Sequence, residues 1–280
     1  MITRINKKNL KDLQRHTKQL DARNFFFNSS MRYERCGELP YITSKLEPLF
    51  SKKLKYLDIG TGNSAYPTFL LKNTNWDITC LDKHSWMSMQ NNFAKKVMGD
   101  KSYEDRFHII EKNFLTSELP EESFDIITNI SVIEHFEGES DSLAMEKSAK
   151  LLKPGGIYIL TTPMNEGHYK EFYIKQNVYG EKYKSKPVFF QRHYDVSSFQ
   201  ERIIKASGLK ERERIYMGDY GFQFKETFLD PPALLKPFKI FYQWAVPFFA
   251  TKFLTYRTYP VSRSDMKIYT TSAVLTILEK

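Results

Sequence analysis

A glycine-rich turn follows a short apolar run in the stretch Tyr56-Leu57-Asp58-Ile59-Gly60-Thr61-Gly62-Asn63-Ser64-Ala65. Closely spaced glycines let the chain turn tightly and bring its backbone against a ligand. Two ligand chemistries suit the spacing. In the first, Gly60, Gly62 and Ala65 form a dinucleotide turn that sets a pyrophosphate at the start of a helix, and an acidic residue about 20 positions on binds the ribose. Asp82 has that place. In the second, the group beside the turn is a cation. Asp58, two residues before the first glycine, separates the two, because a carboxylate there repels a pyrophosphate and attracts an amino group. A nucleoside with an α-amino group and no phosphate therefore suits the turn better than NAD. The plainer alternatives are an ordinary tight turn and, for Asp58, a cap on the next helix. Histidines offer the other chemistry, since a side chain titrating near neutrality can take a proton from a nucleophile. His135 stands beside Glu134 at the end of an apolar run, His193 lies in Phe190-Gln191-Arg192-His193-Tyr194-Asp195, and His168 precedes it in the same segment. Glu134 is placed to orient His135 or to bind a substrate. A structural hydrogen bond or a capping role is the competing use of each histidine. No metal-ligand spacing is visible.

Such residues need rigid elements behind them, and the chain supplies a regular alternation. Residues 6–20 and 31–48 read as helices. From Lys55 onward, strand patterns at 55–59, 76–82, 107–111, 123–130 and 156–163 alternate with helical patterns at 64–72, 86–98 and 139–152. Lys-Pro-Gly-Gly at 153–156 stops the last of these helices. A helix over 195–208 opens on a capping Asp and ends on Gly, and strands over 211–217 and 267–280 follow. No helical crossover separates those two strands, so the last one is expected to run antiparallel. Strands alternating with helices imply a mostly parallel sheet covered on both faces. Residues 164–194 and 219–264 are long for connections and are read as insertions over the site. The first is rich in Tyr and Phe interleaved with Lys and Arg, as suits a lid for a sugar, a ring or an anionic group; a packed helical excursion is the alternative.

With those elements in place, the sequence resembles the class I S-adenosylmethionine-dependent methyltransferases, in particular the small-molecule group that includes ubiquinone-biosynthesis O-methyltransferases. The resemblance covers roughly residues 50–218 and the last strand. Leu57-Asp58-Ile59-Gly60-Thr61-Gly62-Asn63-Ser64 looks like the cofactor glycine loop. Cys80-Leu81-Asp82-Lys83-His84 looks like the ribose-binding strand end, which implies that Asp82 takes both ribose hydroxyls. Glu111-Lys112-Asn113-Phe114-Leu115 looks like the adenine segment, with Asn113 on the exocyclic amine and Phe114 packed on the ring or donating to it. The run from Phe124 to Phe136 looks like the fourth strand with its Glu-His ending, and the run from Leu151 to Pro163 like the fifth-strand motif. Lys83 and Asn129 join the implied cofactor-binding set of Asp58, Gly60, Gly62, Asp82, Asn113 and Phe114. Two departures stand out: Asn113 replaces the more usual Asp, and Ser64 replaces the third glycine. The Glu-His-Phe ending is also similar to that of cyclopropane-forming lipid methyltransferases, over three residues only.

The resemblance implies a doubly wound α/β fold of the Rossmann-like methyltransferase type. Its seven-stranded, mostly parallel sheet would have an antiparallel last strand. An N-terminal helical cap over residues 1–50 and a methyltransferase domain over 51–280, carrying both insertions, complete the expected organisation. The implied cofactor is S-adenosylmethionine, and the implied reaction is methylation of a small molecule, a glycan precursor or a lipid-linked intermediate. O-methylation is the first expectation, with His135 or His193 as base. A nucleic-acid methyltransferase and a non-catalytic cofactor-binding scaffold are the alternatives. A net charge of +9 from 42 basic and 33 acidic residues allows a nucleic acid, an anionic membrane or an acidic substrate, or serves solubility alone. The base-holding Asn/Asp-Pro-Pro-aromatic motif of amino-methylating DNA enzymes is absent after the fourth strand. Cys36 and Cys80 have no redox or metal spacing, and the basic N-terminus has no signal-peptide core, so a reduced, cytoplasmic setting is expected. Residues 231–263 contain no acidic residue but five basic ones, Lys236, Lys239, Lys252, Arg257 and Arg263, beside aromatics at helical spacing. They read either as a cap helix or as a segment in peripheral contact with a membrane.

Overall fold

The computed structural model describes residues 2–20, 31–99, 101–165, 167–175, 186–229, 245–258 and 269–280. Its frame is one nine-stranded sheet. The strands are β1 (Ile2–Arg4), β2 (Lys55–Ile59), β3 (Asp77–Asp82), β4 (Phe107–Glu111), β5 (Phe124–Ile130), β6 (Leu152–Pro163), β9 (Lys210–Tyr220), β10 (Leu254–Arg257) and β11 (Tyr269–Glu279), and β7 (Lys170–Ile174) and β8 (Val188–His193) form a separate hairpin. The order across the sheet is β1-β10-β9-β11-β6-β5-β2-β3-β4. The β4-β3-β2-β5-β6 block is parallel throughout. β11 runs antiparallel between β6 and β9, the direction expected of the last strand.

Alternation along β2 shows how the sheet divides the core. Tyr56 faces one layer of helices, while Leu57 and Ile59 face the other, all three at 1% exposure or less. The first layer holds α1 (Lys7–Leu20), α2 (Arg35–Leu46), α3 (Tyr66–Asn73) and α4 (Met89–Met98), packed through Leu10, Leu13, Ile42, Leu70 and Ala94. The second holds α5 (Ser140–Leu151) and α6 (Val196–Phe199), the latter continued by a π turn over Gln200–Lys205. α6 opens on Asp195, the capping residue read from the sequence, which forms a capping box with Ser198. Sheet faces buried on both sides explain why the parallel strands are almost continuously apolar.

The sheet differs from the expected seven strands by two. β10 lies inside the stretch read as one insertion, and with β1 it extends the edge beyond β9, both by antiparallel pairing. A four-residue strand between aromatic runs, and a three-residue strand with every side chain exposed, carry almost no alternation to read. The first insertion contains the β7–β8 hairpin, which packs on β6 and on the 3₁₀ turn Ile133–His135. α7 (Val246–Phe253) occupies the second, and most of 231–263, including Lys236, Lys239 and Arg263, lies outside the described residues. Among the described residues no helix is long and apolar enough to cross a membrane.

Candidate active site

Most of the sequence-predicted residues gather at the carboxyl edge of β2, β3 and β5, where open α/β sheets take their ligands. β2 ends in a turn that only glycine makes without strain, with Gly60 at φ +73° and Gly62 at φ +54°. A Cβ on Gly60 would lie 2.3 Å from Val132 Cγ1, so the turn is pressed against the loop that follows β5. Backbone bonds from Gly60 N and Thr61 N to Leu81 O, at 2.7 and 3.2 Å, tie it to β3. Gln90 of α4 is fully buried and clamps the turn from above, donating to Gly62 O at 3.1 Å and Ser64 O at 2.8 Å. Ser64 itself accepts from Tyr66 N at 3.2 Å, starting α3.

Asp82 stands at the end of β3 with one carboxylate oxygen 2.9 Å from Gly62 N and the other 2.9 Å from His84 N. Each oxygen keeps a further lone pair for a hydroxyl, so the carboxylate is held in place and still able to accept from a ribose. Asp58 is 4% exposed and does not cap α3; its Oδ1 accepts from Thr128 Oγ1 at 2.6 Å. Burial lifts its pKa to about 6, against the hydroxyl donors Thr128 and Thr61 and the nearby Arg35 guanidinium. A buried carboxylate whose hydrogen-bond donors among the described residues are hydroxyls is suited to a cationic partner.

The other predicted positions divide. Lys83 is exposed, and its charge is felt at His135. Asn113 caps the turn at 114–116 by accepting from Leu115 N at 2.9 Å. The Phe114 ring is buried in the core with Lys147 Nζ 5.2 Å from its centroid. Asn129 is fully buried and its Oδ1 accepts from Ile133 N at 2.9 Å. It shapes the turn bearing Glu134 and His135 and does not line an open surface.

That turn places two titratable groups side by side. His135 Nδ1 is 2.6 Å from the Phe190 carbonyl of β8, a contact only the Nδ1-protonated ring can make, so Nε2 carries the basic lone pair. The Phe190 ring meets the imidazole edge-on at 5.3 Å. Burial lowers the His135 pKa, opposed by the Phe190 bond and assisted by Lys83 and Arg35. Glu134 is 2% exposed, accepts from Thr162 Oγ1 at 3.3 Å and lies 3.9 Å from His135 Nε2. Its pKa is pushed up to about 8, chiefly by burial. His193 sits elsewhere on the hairpin, 3.0 Å from Gln191 Nε2 and 4.6 Å from the Phe172 ring, with a pKa lowered to about 4 by burial and by Lys225 and Lys170. His168 is exposed.

Sequence reasoning missed Arg35. From the start of α2 it pairs with the buried Glu38, and it donates to Ser131 Oγ at 2.9 Å and Ile130 O at 3.0 Å. Its charge reaches Asp58, Glu134 and His135. It also missed Trp86, whose indole nitrogen would lie 3.6 Å from a Cβ on Gly62. Neither residue sits at a spacing that marks it; both arrive through the fold. The cavity of about 370 Å³ between Lys55, Asp77, His108 and Phe124 opens at the opposite, amino-terminal end of the strands and takes in none of these residues.

The methyltransferase-domain family matches residues 57–160, the span from the glycine turn to β6. Residues 57–160 form a methyltransferase domain. The domain's fold is shared with an S-adenosylmethionine-dependent methyltransferase from Mesorhizobium loti, at 13% identity and a TM-score of 0.52, over 89% of this chain and 100% of that one. The 1,6-didemethyltoxoflavin-N1-methyltransferase of Burkholderia thailandensis, solved with S-adenosylhomocysteine, aligns over 97% of this chain and 87% of that one, with 10% identity and a TM-score of 0.50. In sequence, the chain is 24% identical over 110 residues to a sarcosine/dimethylglycine N-methyltransferase of Aphanothece halophytica, a match spanning 39% of this chain and 38% of that enzyme. The methyltransferase domain's own residues fit S-adenosylmethionine: a left-handed glycine turn for close approach, the Asp82 carboxylate fixed at the end of β3 and the Asp58 carboxylate buried near the end of β2.

Proposed function

We propose that the chain methylates a hydroxyl of a small molecule, with His135 as general base. The observation that carries the reading is the bond between His135 Nδ1 and the Phe190 carbonyl, which makes Nε2 the basic nitrogen beside the loop pressed on the glycine turn. S-adenosylmethionine supplies a methyl group already activated on a sulfonium, so the chain's work is positioning and proton removal. Asp58 would hold the amino group of the cofactor, Asp82 its ribose hydroxyls, and Arg35 its carboxylate. His135 Nε2 accepts the acceptor proton, and the lowered pKa keeps the ring neutral and ready near pH 7. His193, with a pKa near 4, is the weaker base and is assigned to acceptor contact with Phe172.

A second reading, an amine acceptor, is favoured by Glu134. A buried carboxyl with a pKa near 8 gains a partner when a cationic amine arrives, and two of the similar proteins are named as N-methyltransferases. Incubating the chain with methyl-labelled cofactor and a metabolite extract, then locating the label by mass spectrometry and NMR, separates the readings. An oxygen-bound methyl group supports the first and a nitrogen-bound one the second; no labelled small molecule overturns both. A glycan precursor and a lipid-linked hydroxyl both belong to the proposed acceptor class. For the lipid-linked case, Phe248 at 66% exposure and Phe222 at 41% offer a surface for membrane contact. Sedimentation with anionic vesicles tests that contact, and its absence at low salt removes it.

A further inference from the structure

Two residues beyond the Phe190 carbonyl, the fully buried Arg192 ties the hairpin to the chain just past His135. Its Nη2 donates to Phe136 O at 2.6 Å, and its Nη1 to Gly138 O and Asp141 Oδ2, both at 3.0 Å. Asp141, at the start of α5 and 0% exposed, is held in turn by the Tyr194 hydroxyl at 2.7 Å and Arg202 Nε at 2.9 Å. β8 therefore grips the histidine segment at two points, the ring nitrogen of His135 and the carbonyls that follow it. A guanidinium has a rigid fork that meets several acceptors at once, whereas a lysine ammonium is a point charge. The register of β8 against β7 shifts between Phe189 and Gln191, which leaves Phe190 as the bulged residue, and the Arg192 guanidinium lies 5.1 Å from the Phe189 ring centroid.

We propose that Arg192 is a positioning residue for His135: it clamps β8 onto the 136–138 loop, so that the Phe190 carbonyl stays on Nδ1 and Nε2 stays the basic nitrogen. The proposal rests on His135 as the base, but its first test reads the ring without any substrate. The full-length chain is labelled with ¹⁵N-histidine, His135 is assigned with a His135→Gln variant, and the ring nitrogens are recorded by NMR near pH 7.5. In the wild type, His135 is neutral and protonated on Nδ1; a ring protonated on Nε2 overturns the proposal whether or not any variant folds. In Arg192→Lys the Nδ1-protonated population falls. Turnover of the labelled acceptor drops about tenfold or more, since small misplacements of a reacting group are costly, while cofactor affinity stays within about twofold. Arg202→Lys is the control. Arg202 bonds the same Asp141 and Gly138, but among the described residues it makes no hydrogen bond to β8, so this variant keeps the wild-type tautomer. A folded Arg192→Lys protein with wild-type tautomer and rate overturns the proposal, and so does an equal tautomer shift in both variants. A tautomer result as expected, with no acceptor ever methylated, leaves the clamp standing and removes the functional reading instead.

Discussion

Burial holds Asp58 at a pKa of about 6, and the partner proposed for it is the ammonium of the cofactor, so binding and proton release are linked. The sign follows from the two states. The ammonium favours the carboxylate, so the complex titrates lower than the ligand-free protein, and below about pH 6 binding must expel a proton. Calorimetry should therefore show S-adenosylhomocysteine affinity flat above pH 7 and falling about tenfold per pH unit below 6, with Asp58→Asn weakening binding and flattening the fall. At Asp82 the expected loss is simpler. Two charge-assisted bonds to ribose hydroxyls contribute about 1.5–3 kcal/mol each, so Asp82→Ala should weaken binding at least tenfold; unchanged affinity would remove the ribose assignment. Both aspartates were legible in the sequence because their spacing from the glycines is local. Arg35 was not, since it reaches Ser131 and Ile130 across about a hundred residues of chain, and no spacing encodes such a contact.

The glycine turn is the element that fixes the rest, and its two constraints can be separated. Gly60→Ala adds left-handed strain and drives a Cβ to within 2.3 Å of Val132. Gly208→Ala, at φ +63° after α6, adds strain alone, since nothing lies within 4 Å of its Cβ. Strain of that kind costs roughly 1–2 kcal/mol, which corresponds to a thermal midpoint lower by about 2–8 °C in a chain of this size. Gly60→Ala should lose more than that and bind S-adenosylhomocysteine poorly, while Gly208→Ala keeps its affinity. Thermal melts and calorimetry on the two variants check this. The hairpin β7–β8 was legible only as an aromatic and basic insertion. Its register, and thus the meeting of Phe190 with His135, depends on packing against β6 and the 133–135 turn.

Across the whole molecule, the alternation of strands and helices from Lys55 to β6 was readable because the inner parallel strands β2, β3 and β5 are almost wholly buried, while β1 and β10 are short edge pairs fixed by tertiary contact. The N-terminal helix α1 was readable by its periodicity, but its anchorage was not. His16 of α1 meets Thr68 Oγ1 at 3.0 Å and the Phe69 ring edge-on at 5.6 Å, on the helix that follows the glycine turn. Burial lowers its pKa to about 4. A histidine depressed in the folded state supports stability above the unfolded value of about 6.5 and loses it as pH falls toward 4. His16→Gln should thus lose less stability than the wild type between pH 6.5 and 4.5 in differential scanning fluorimetry. A steeper loss in the variant would contradict the reading. The proposed role of His135 as the base is tested most directly by the rate of the His135→Ala variant. With the labelled acceptor and saturating cofactor, the account predicts turnover lower by about 10²–10⁴ and S-adenosylhomocysteine affinity within about twofold of wild type; a near-wild-type rate would contradict it.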